Sequence, residues 1–172
     1  MSTEYYNSQW HMPNEINKSK QNNYSINFST DKVIVLSQNI DLGINNTISF
    51  WVKGDSSGFN GSFFGKGGTD YFITIFPSAI YYKVGSNYSS GFPNTYTAVV
   101  DNNWHHIVFV RSGDSVSSYV DGSFIETNTG YGTTTSSIFN TIGNEEDLSG
   151  DITGQLDYIS TFDYALSLSQ IT

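Results

Sequence analysis

An acidic run near the end of the chain could bind a metal cation. It comprises Glu145, Glu146, Asp147, Asp151 and Asp157. Calcium takes about six to eight oxygen ligands, which loops with Asp, Asn and free carbonyl groups can supply. The spacing of an EF-hand loop is absent. In the alternative interpretation the glutamates form a solvated surface and Asp157 hydrogen-bonds to neighbouring backbone.

Nucleophilic catalysis needs a base, and the chain has three histidines, His11, His105 and His106. A serine hydrolase would hold one of them beside an activated serine and an acid, but no Gly-x-Ser-x-Gly turn occurs. His105 and His106 are adjacent in a predicted strand, so they point to opposite faces and cannot converge on one centre. We therefore predict no histidine zinc site, and we expect one of the two to be buried with a ring nitrogen bonded to backbone.

Aromatic rings beside a few amides could bind sugar, because specificity for a sugar comes from hydrogen bonds to its hydroxyl groups. Tyr88 and Tyr131 each lie in a glycine-rich stretch, where a loop tyrosine has few neighbours to pack against. The predicted ligand-binding set is Tyr82, Asn87, Tyr88, Tyr96 and Tyr131. In the alternative interpretation, most tyrosines belong to the core.

Short strands must position these residues. The apolar residues occur in short runs rich in Val, Ile, Phe and Tyr, and about a dozen such runs at near-regular spacing predict an all-β sandwich or jelly roll. Only the tail, Ala165–Ile171, is a helix candidate. The predicted strands are Tyr24–Phe28, Lys32–Leu36, Thr47–Lys53, Ser62–Lys66, Tyr71–Phe76, Ile80–Val84, Thr95–Val100, His105–Arg111, Val116–Val120, Ser123–Thr127, Ser137–Ile142 and Gln155–Phe162.

Alternation assigns side chains to the two faces of each strand. In Thr47–Lys53 the even positions form one apolar face, and Trp51 lies on the other face with Ser49 and Lys53. We nevertheless expect Trp51 and Trp104 to belong to the core.

Turn residues separate the strands. The Asp121-Gly122 pair between two short β runs predicts a tight hairpin. Binding residues are expected on the longer connections, because a rigid sheet positions variable loops. These connections are Gly54–Gly61, Gly85–Asn94, Thr129–Ser136 and Asn144–Thr153.

Composition excludes several classes of function. The chain has 172 residues, the length of one domain, and no cysteine, so it has neither a disulfide framework nor a thiolate metal site. Seven Lys and Arg residues against sixteen Asp and Glu give a net charge of −9, which disfavours nucleic acid and anionic membranes as partners. No apolar run is long enough to cross a bilayer, and residues 1–23 lack the apolar core of a signal peptide. We interpret residues 1–23 as a polar arm or edge segment and residues 24–172 as one domain.

Three ordered parts of the chain resemble the laminin-G-like branch of the concanavalin A-like lectin/glucanase superfamily. They match the opening strands Tyr-Ser-x-x-Phe and Thr-hydrophobic-Ser-x-Trp-Val-Lys, then a Trp-His-His strand with a Tyr-Val-Asp-Gly hairpin, and finally a closing strand with an Ala-Leu-Ser turn. The matching residues are 24–28 with 33–35 and 47–53, then 103–110 with 118–122, and finally 142–143 with 154–159 and 164–167. Together they span nearly all of the predicted domain.

The resemblance implies a jelly-roll sandwich of two antiparallel sheets, carried by a larger extracellular, cell-surface or virion protein. It also implies a structural calcium site that joins Asp157 of the closing strand to Asp31, in the turn after the opening strand. Glucanases of the superfamily carry a Glu-x-Asp-x-(x)-Glu motif on one strand. Here Glu145 and Asp147 supply two members, but the third position is Ser149 or Gly150, so we expect no enzyme.

Two functions remain after these exclusions. The first is a non-catalytic, lectin-like module that binds a glycan or polysaccharide, with calcium as a structural cofactor. The alternative is a structural or adhesion domain that binds protein partners in a larger assembly and has no affinity for sugar.

Overall fold

The structure is a computed structural model, and it describes residues 25–29, 31–55, 57, 59–66, 70–85, 87–88, 91–144 and 152–171. Two antiparallel sheets pack face to face, as the sequence predicts. Sheet I has the strand order β1, β12, β3, β8, β9, β10. These strands are β1 (Ile26–Phe28), β12 (Gly154–Phe162), β3 (Asn45–Asp55), β8 (Asp101–Ser112), β9 (Ser115–Val120) and β10 (Ser123–Thr129).

Sheet II has the order β2, β11, β4, β5, β6, β7. Its strands are β2 (Ile34–Asp41), β11 (Ile138–Ile142), β4 (Gly61–Lys66), β5 (Asp70–Phe76), β6 (Ala79–Val84) and β7 (Asn87–Tyr88). Every predicted strand but one coincides with an observed strand.

Aromatic rings fill the space between the sheets. Phe50 of β3 contacts Phe64 of β4 at a centroid distance of 5.1 Å, and Phe109 of β8 lies 5.8 Å from Tyr82 of β6. The inward face of β3, Ile48, Phe50 and Val52, is fully buried, as alternation predicts. The chain therefore has one continuous core between two sheets.

Trp51 and Trp104 are not core residues. Both lie on the outward face of sheet I and are half-buried, which corrects the expectation that they pack in the interior. The part of the prediction that placed Trp51 on the face opposite Phe50 is confirmed.

The segment predicted as the strand Thr95–Val100 is instead helix α1 (Pro93–Val99). Proline at the first turn favours helix entry, and the helix buries Thr95 and Val99, which lie one turn apart. Glu126 of β10 accepts hydrogen bonds from the Thr95 backbone N–H at 2.8 Å and from its Oγ1 at 3.0 Å. These contacts from a distant strand outweigh the strand preference of the local sequence.

The tail forms a single helical turn, α2 (Leu168–Ile171), within the predicted helix candidate. In the part of the chain that the structure describes, no helix is long and apolar enough to span a membrane. The predicted hairpin at Asp121-Gly122 is confirmed, because β9 and β10 pair from Val120 to Ser123 and both turn residues have positive φ.

Candidate functional site: a polar cleft on sheet I

A polar cleft of about 350 Å³ opens at one end of sheet I. Strands β1, β3 and β12, the turn after β3 and the start of β8 form its walls. Of the lining residues that the structure describes, Lys53 is the charged one, and the others carry amides, hydroxyls or no side chain. The lining consists of Asn27, Lys53, Gly54, Ser57, Asn102, Thr153, Gly154 and Gln155.

The strand register explains why residues so far apart in sequence meet here. Asn27 pairs with Gln155, Gln155 with Lys53, and Lys53 with Trp104, so the four residues form one row across four strands. In β1, β12 and β3 the residue next to this row is buried in the core, so the side chains of the row point outward. An aromatic ring thus lies at the end of a row of two amides and an ammonium group.

Two glycines hold open the floor of the cleft above a buried ring, Phe59. A Cβ atom at Gly54 would lie 1.6 Å from Phe59 Cε2, and one at Gly154 would lie 2.8 Å from the same atom. A larger residue at Gly54 would displace the ring, and one at Gly154 would also press on the Lys53 carbonyl oxygen, 2.8 Å from the added Cβ.

The next row contains an aromatic stack. The Trp51 and His106 rings lie 5.3 Å apart with an interplanar angle of 22°, and Asp157 pairs with Trp51 on the other side. Ser49 Oγ lies 2.6 Å from His106 Nε2. Burial lowers the pKa of His106, so this imidazole is neutral at physiological pH.

The Ser49 and His106 pair has the distance of a nucleophile and its base. Mid-strand backbone N–H groups, however, are occupied by the ladder of the sheet, which leaves no donors for an oxyanion. No carboxylate is found on His106 Nδ1 among the described residues. In the described part of the chain, the pair therefore has neither the orienting carboxylate nor the oxyanion hole that acyl transfer requires beside the nucleophile and the base.

His105 lies on the opposite face and binds two carboxylates. Its Nδ1 is 2.8 Å from Asp121 Oδ2 and its Nε2 is 3.0 Å from Asp101 Oδ1. The prediction that the two histidines do not converge is confirmed, but neither ring bonds to backbone as expected. Asp101 also accepts bonds from the N–H and side-chain amide of Asn103, both at 2.9 Å. These bonds fix the turn that holds Asn102, at φ 63°, on the rim of the cleft.

Hydrogen bonds change the pKa values of this cluster in opposite directions. Bonds from Asn103, with a further contribution from His105, lower the pKa of Asp101 to about 2. Burial alone would lower the pKa of His105, but the hydrogen bonds to Asp121 and Asp101 outweigh it and raise that pKa.

The predicted sugar-binding tyrosines do not form this site. Tyr82 and Tyr131 have no exposed surface, which corrects their assignment as ligand-binding residues. They belong to the core, where their rings meet edge to face at 5.7 Å. Tyr96 lies on α1, half-buried against the core. The backbone of Asn87 and Tyr88 forms β7, but their side chains lie outside the description, so their role stays a prediction.

The two predicted calcium ligands do not converge. Leu156 pairs with Ile26, so Asp157 lies beyond the start of β1, whereas Asp31 lies in the turn beyond its end. Asp157 Oδ1 instead accepts the Tyr158 backbone N–H at 2.8 Å, as the alternative interpretation proposes. Burial raises the pKa of Asp157, and the hydrogen bond from Tyr158 offsets part of that effect.

No group of three or more His, Asp or Glu residues in the described ranges is arranged to hold a metal ion. The register therefore gives no support to a site shared by Asp31 and Asp157, and calcium binding stays a prediction. Residues 145–151, which contain the other predicted ligands and the glucanase-like acids, lie outside the described residues.

Three residues of the cleft, Asn27, Asn102 and Gln155, were missed by sequence reasoning. Lys53 was placed correctly on the outward face, but without a function. The only signal that could have found the set is the register of β1, β3 and β12, since these residues are spread over nearly the whole chain.

Comparison with known proteins gives a family and a fold. A sequence model of the concanavalin A-like lectin/glucanases superfamily matches residues 10–172. No functionally characterised protein matches the chain by sequence at a significant level.

Solved structures with the same fold include three distant proteins. A heptameric pentraxin from Limulus polyphemus superposes with a TM-score of 0.63 at 16% identity, over 86% of this chain and 79% of the pentraxin. Domain 4 of an extracellular arabinanase from Geobacillus stearothermophilus, in complex with arabinotriose, gives 0.54 at 18% identity, over 89% and 82%. Domains LG4-5 of the mouse laminin alpha1 chain give 0.57 at 14% identity, over 83% of this chain and 44% of the laminin fragment.

Proposed function

Because the chain belongs to the concanavalin A-like lectin/glucanases superfamily, we propose that it is a non-catalytic carbohydrate-binding module of a larger extracellular, surface or virion protein. The observation that carries this proposal is the cleft on sheet I. Its volume suits one or two sugar rings, and its amides and hydroxyls are the groups that recognise sugar hydroxyls.

The composition of the cleft supports binding rather than catalysis. Glycosidases need two carboxyl groups about 5–10 Å apart across the scissile bond. The described lining of the cleft contains no carboxylate, and the nearby Asp101 and Asp121 both bind His105. The Ser49 and His106 pair lacks the other parts of a hydrolase site.

The neighbours in structure are consistent with such a module. The arabinanase domain was solved with an oligosaccharide bound, and both it and the laminin domains are parts of larger chains. At identities below 20%, these proteins establish only the fold, so the ligand of this chain must be tested directly.

The test is a glycan-array screen of the purified domain, in calcium and again with a chelator. We expect saturable binding to one class of glycan. Gln155→Ala should weaken it about fivefold, the effect of one lost hydrogen bond. Gln38→Ala is the matched control, because Gln38 is an exposed glutamine on β2 of the other sheet.

Two further arms test the earlier candidates. Tyr88→Ala examines the loop residue whose side chain is not described. Loss of binding with chelator would support the predicted calcium cofactor. A blank array in both conditions would contradict the proposal and favour the alternative, an assembly domain with protein partners.

A further inference from the structure

Among the described residues that line the cleft, Lys53 is the one that carries a charge. Its neighbours in the row, Asn27 and Gln155, are uncharged amides. A lysine in such surroundings is unusual for this chain, in which sixteen acidic residues accompany only seven basic ones.

Lys53 has no ion pair with any residue in the described part of the chain. The carboxylate in the adjacent row, Asp157, accepts a hydrogen bond from its own neighbour Tyr158. Two other acids whose side chains are described at this end of sheet I, Asp101 and Asp121, bind His105. The Lys53 ammonium group is therefore available to an anion that enters the cleft.

We propose that the cleft recognises an acidic sugar, a uronic or sialic acid residue of a glycan, whose carboxylate binds Lys53. This inference rests on the proposed carbohydrate-binding function. A carboxylate offers about four lone-pair positions, more than one ammonium group can fill. The side-chain amides of Asn27 and Gln155 flank Lys53 in the row and can donate to the remaining positions or to adjacent hydroxyl groups.

The charge balance favours a single carboxylate over a densely sulfated chain. One cation among neutral amides neutralises one negative charge. A polymer with several sulfates per repeat would face a protein of net charge −9, without the basic surface that such polymers require.

The other role open to Lys53 is structural, with its aliphatic stem covering the neighbouring Trp104. A lysine in that role would create no preference for charge in a ligand. The two roles are therefore distinguished by comparing an acidic sugar with its neutral form.

The probes are oligogalacturonate, a hyaluronan oligosaccharide and sialyllactose, each measured beside its carboxyl-reduced form. We expect at least one acid to bind about tenfold more tightly than its reduced form, the effect of one charge-assisted hydrogen bond. Lys53→Met should abolish that preference, whereas Lys53→Arg should keep it. Lys32→Met, which removes the same charge from an exposed turn, should leave it unchanged.

Each result supports or overturns a defined statement. If the domain binds neutral glycans as tightly as acidic ones, or if Lys53→Met retains the preference, the inference is wrong and the carbohydrate-binding function stands. If the domain binds no glycan, both fail. A thermal unfolding curve of Lys53→Met that matches the wild type ensures that lost binding does not reflect lost structure.

Discussion

Nδ1 of His105 lies 2.8 Å from Oδ2 of Asp121, while the other ring nitrogen faces a second carboxylate, that of Asp101. Carboxylates accept hydrogen bonds and do not donate them, so both contacts are satisfied when both ring nitrogens carry protons. The folded protein therefore stabilises the imidazolium form of His105, in line with its raised pKa. It joins the start of β8 to the hairpin between β9 and β10.

This arrangement predicts a defined pH dependence of stability. The folded pKa of His105 is raised, so its contribution to the free energy of unfolding is complete below about pH 6.5 and is lost as pH rises through the folded value. Because the pKa of Asp101 is lowered, its contribution to the free energy of unfolding is present above about pH 4 and is lost as pH falls toward 2. Within this cluster, stability is highest between about pH 4 and 6.5.

The measurement is an NMR titration of the histidine rings, with urea unfolding across the same pH range. Asp121→Asn should move the His105 titration down in pH and flatten the decrease in stability at higher pH. His106 is the internal control, because burial places its pKa below the ordinary value. A His105 ring that titrates below pH 6.5 in the wild type would contradict the assignment.

Replacement of the buried Arg111 by lysine is expected to cause a large loss of stability. The residue is fully buried and donates from Nε to Gly113 O, from Nη1 to Ser137 Oγ and from Nη2 to Gly132 O, all within 2.9–3.0 Å. A lysine has one point charge and cannot reach these three acceptors. Arg111→Lys should therefore cost about 2–4 kcal/mol in urea unfolding. Ser137→Ala should lower the free energy of unfolding by less, because it removes only one of these three acceptors. If Arg111→Lys proves less destabilising than Ser137→Ala, the proposed role of Arg111 is wrong.

A substitution at Tyr82 distinguishes a role of this residue in the core from a role in ligand binding. Its hydroxyl donates to Asn46 Oδ1 and lies near Ser137 Oγ, both at 2.9 Å, and burial raises its pKa above the ordinary value. Tyr82→Phe should lower the free energy of unfolding by about 1–3 kcal/mol, because Asn46 and Ser137 lose a buried partner. Binding to any glycan should be unchanged in the folded variant. A variant of full stability with impaired binding would restore the original assignment.

Local sequence patterns predicted most of the fold. Alternation along β3 is a property of adjacent residues, and so is the Asp121-Gly122 turn, so both can be recognised without tertiary information. The glycine-flanked Tyr131 misled the prediction, because the loop folds back over the core and buries the ring. Short-range context indicates a loop but not which way its side chain points.

The cleft could not be predicted from the sequence for a different reason. Asn27, Lys53 and Gln155 meet only because β12 pairs with both β1 and β3, and the pattern of a strand does not reveal its partners. The register likewise associates Asp31 and Asp157 with opposite ends of β1, a relation that the local sequence does not reveal, and the calcium cofactor stays a prediction.

Substitution of Glu126 is expected to reduce the stability of helix α1. Its Oε1 accepts from both the backbone N–H and the hydroxyl of Thr95, and Oε2 accepts from Asn94 Nδ2 at 3.3 Å. Glu126→Ala should cost about 1–2 kcal/mol, comparable to the loss of a helix cap, whereas Glu126→Gln should keep part of the stabilisation. Hydrogen exchange of the α1 amides gives the readout. Protection of α1 that is unchanged in Glu126→Ala would show that proline and the buried side chains suffice to hold the helix.

A substitution at Gly54 tests whether ligand binding in the cleft depends on the packing of the core residue Phe59. An added Cβ would lie 1.6 Å from the Phe59 ring, so Gly54→Ala should cost about 3 kcal/mol and weaken glycan binding. Gly43→Ala is the control: its Cβ meets nothing within 4 Å, and only its positive φ of 71° opposes alanine, at about 1 kcal/mol. Because the cost at Gly54 arises from overlap with one ring, Phe59→Leu should reduce it in a double-mutant cycle. Additive effects of Gly54→Ala and Phe59→Leu would mean that the floor of the cleft and the core ring are independent.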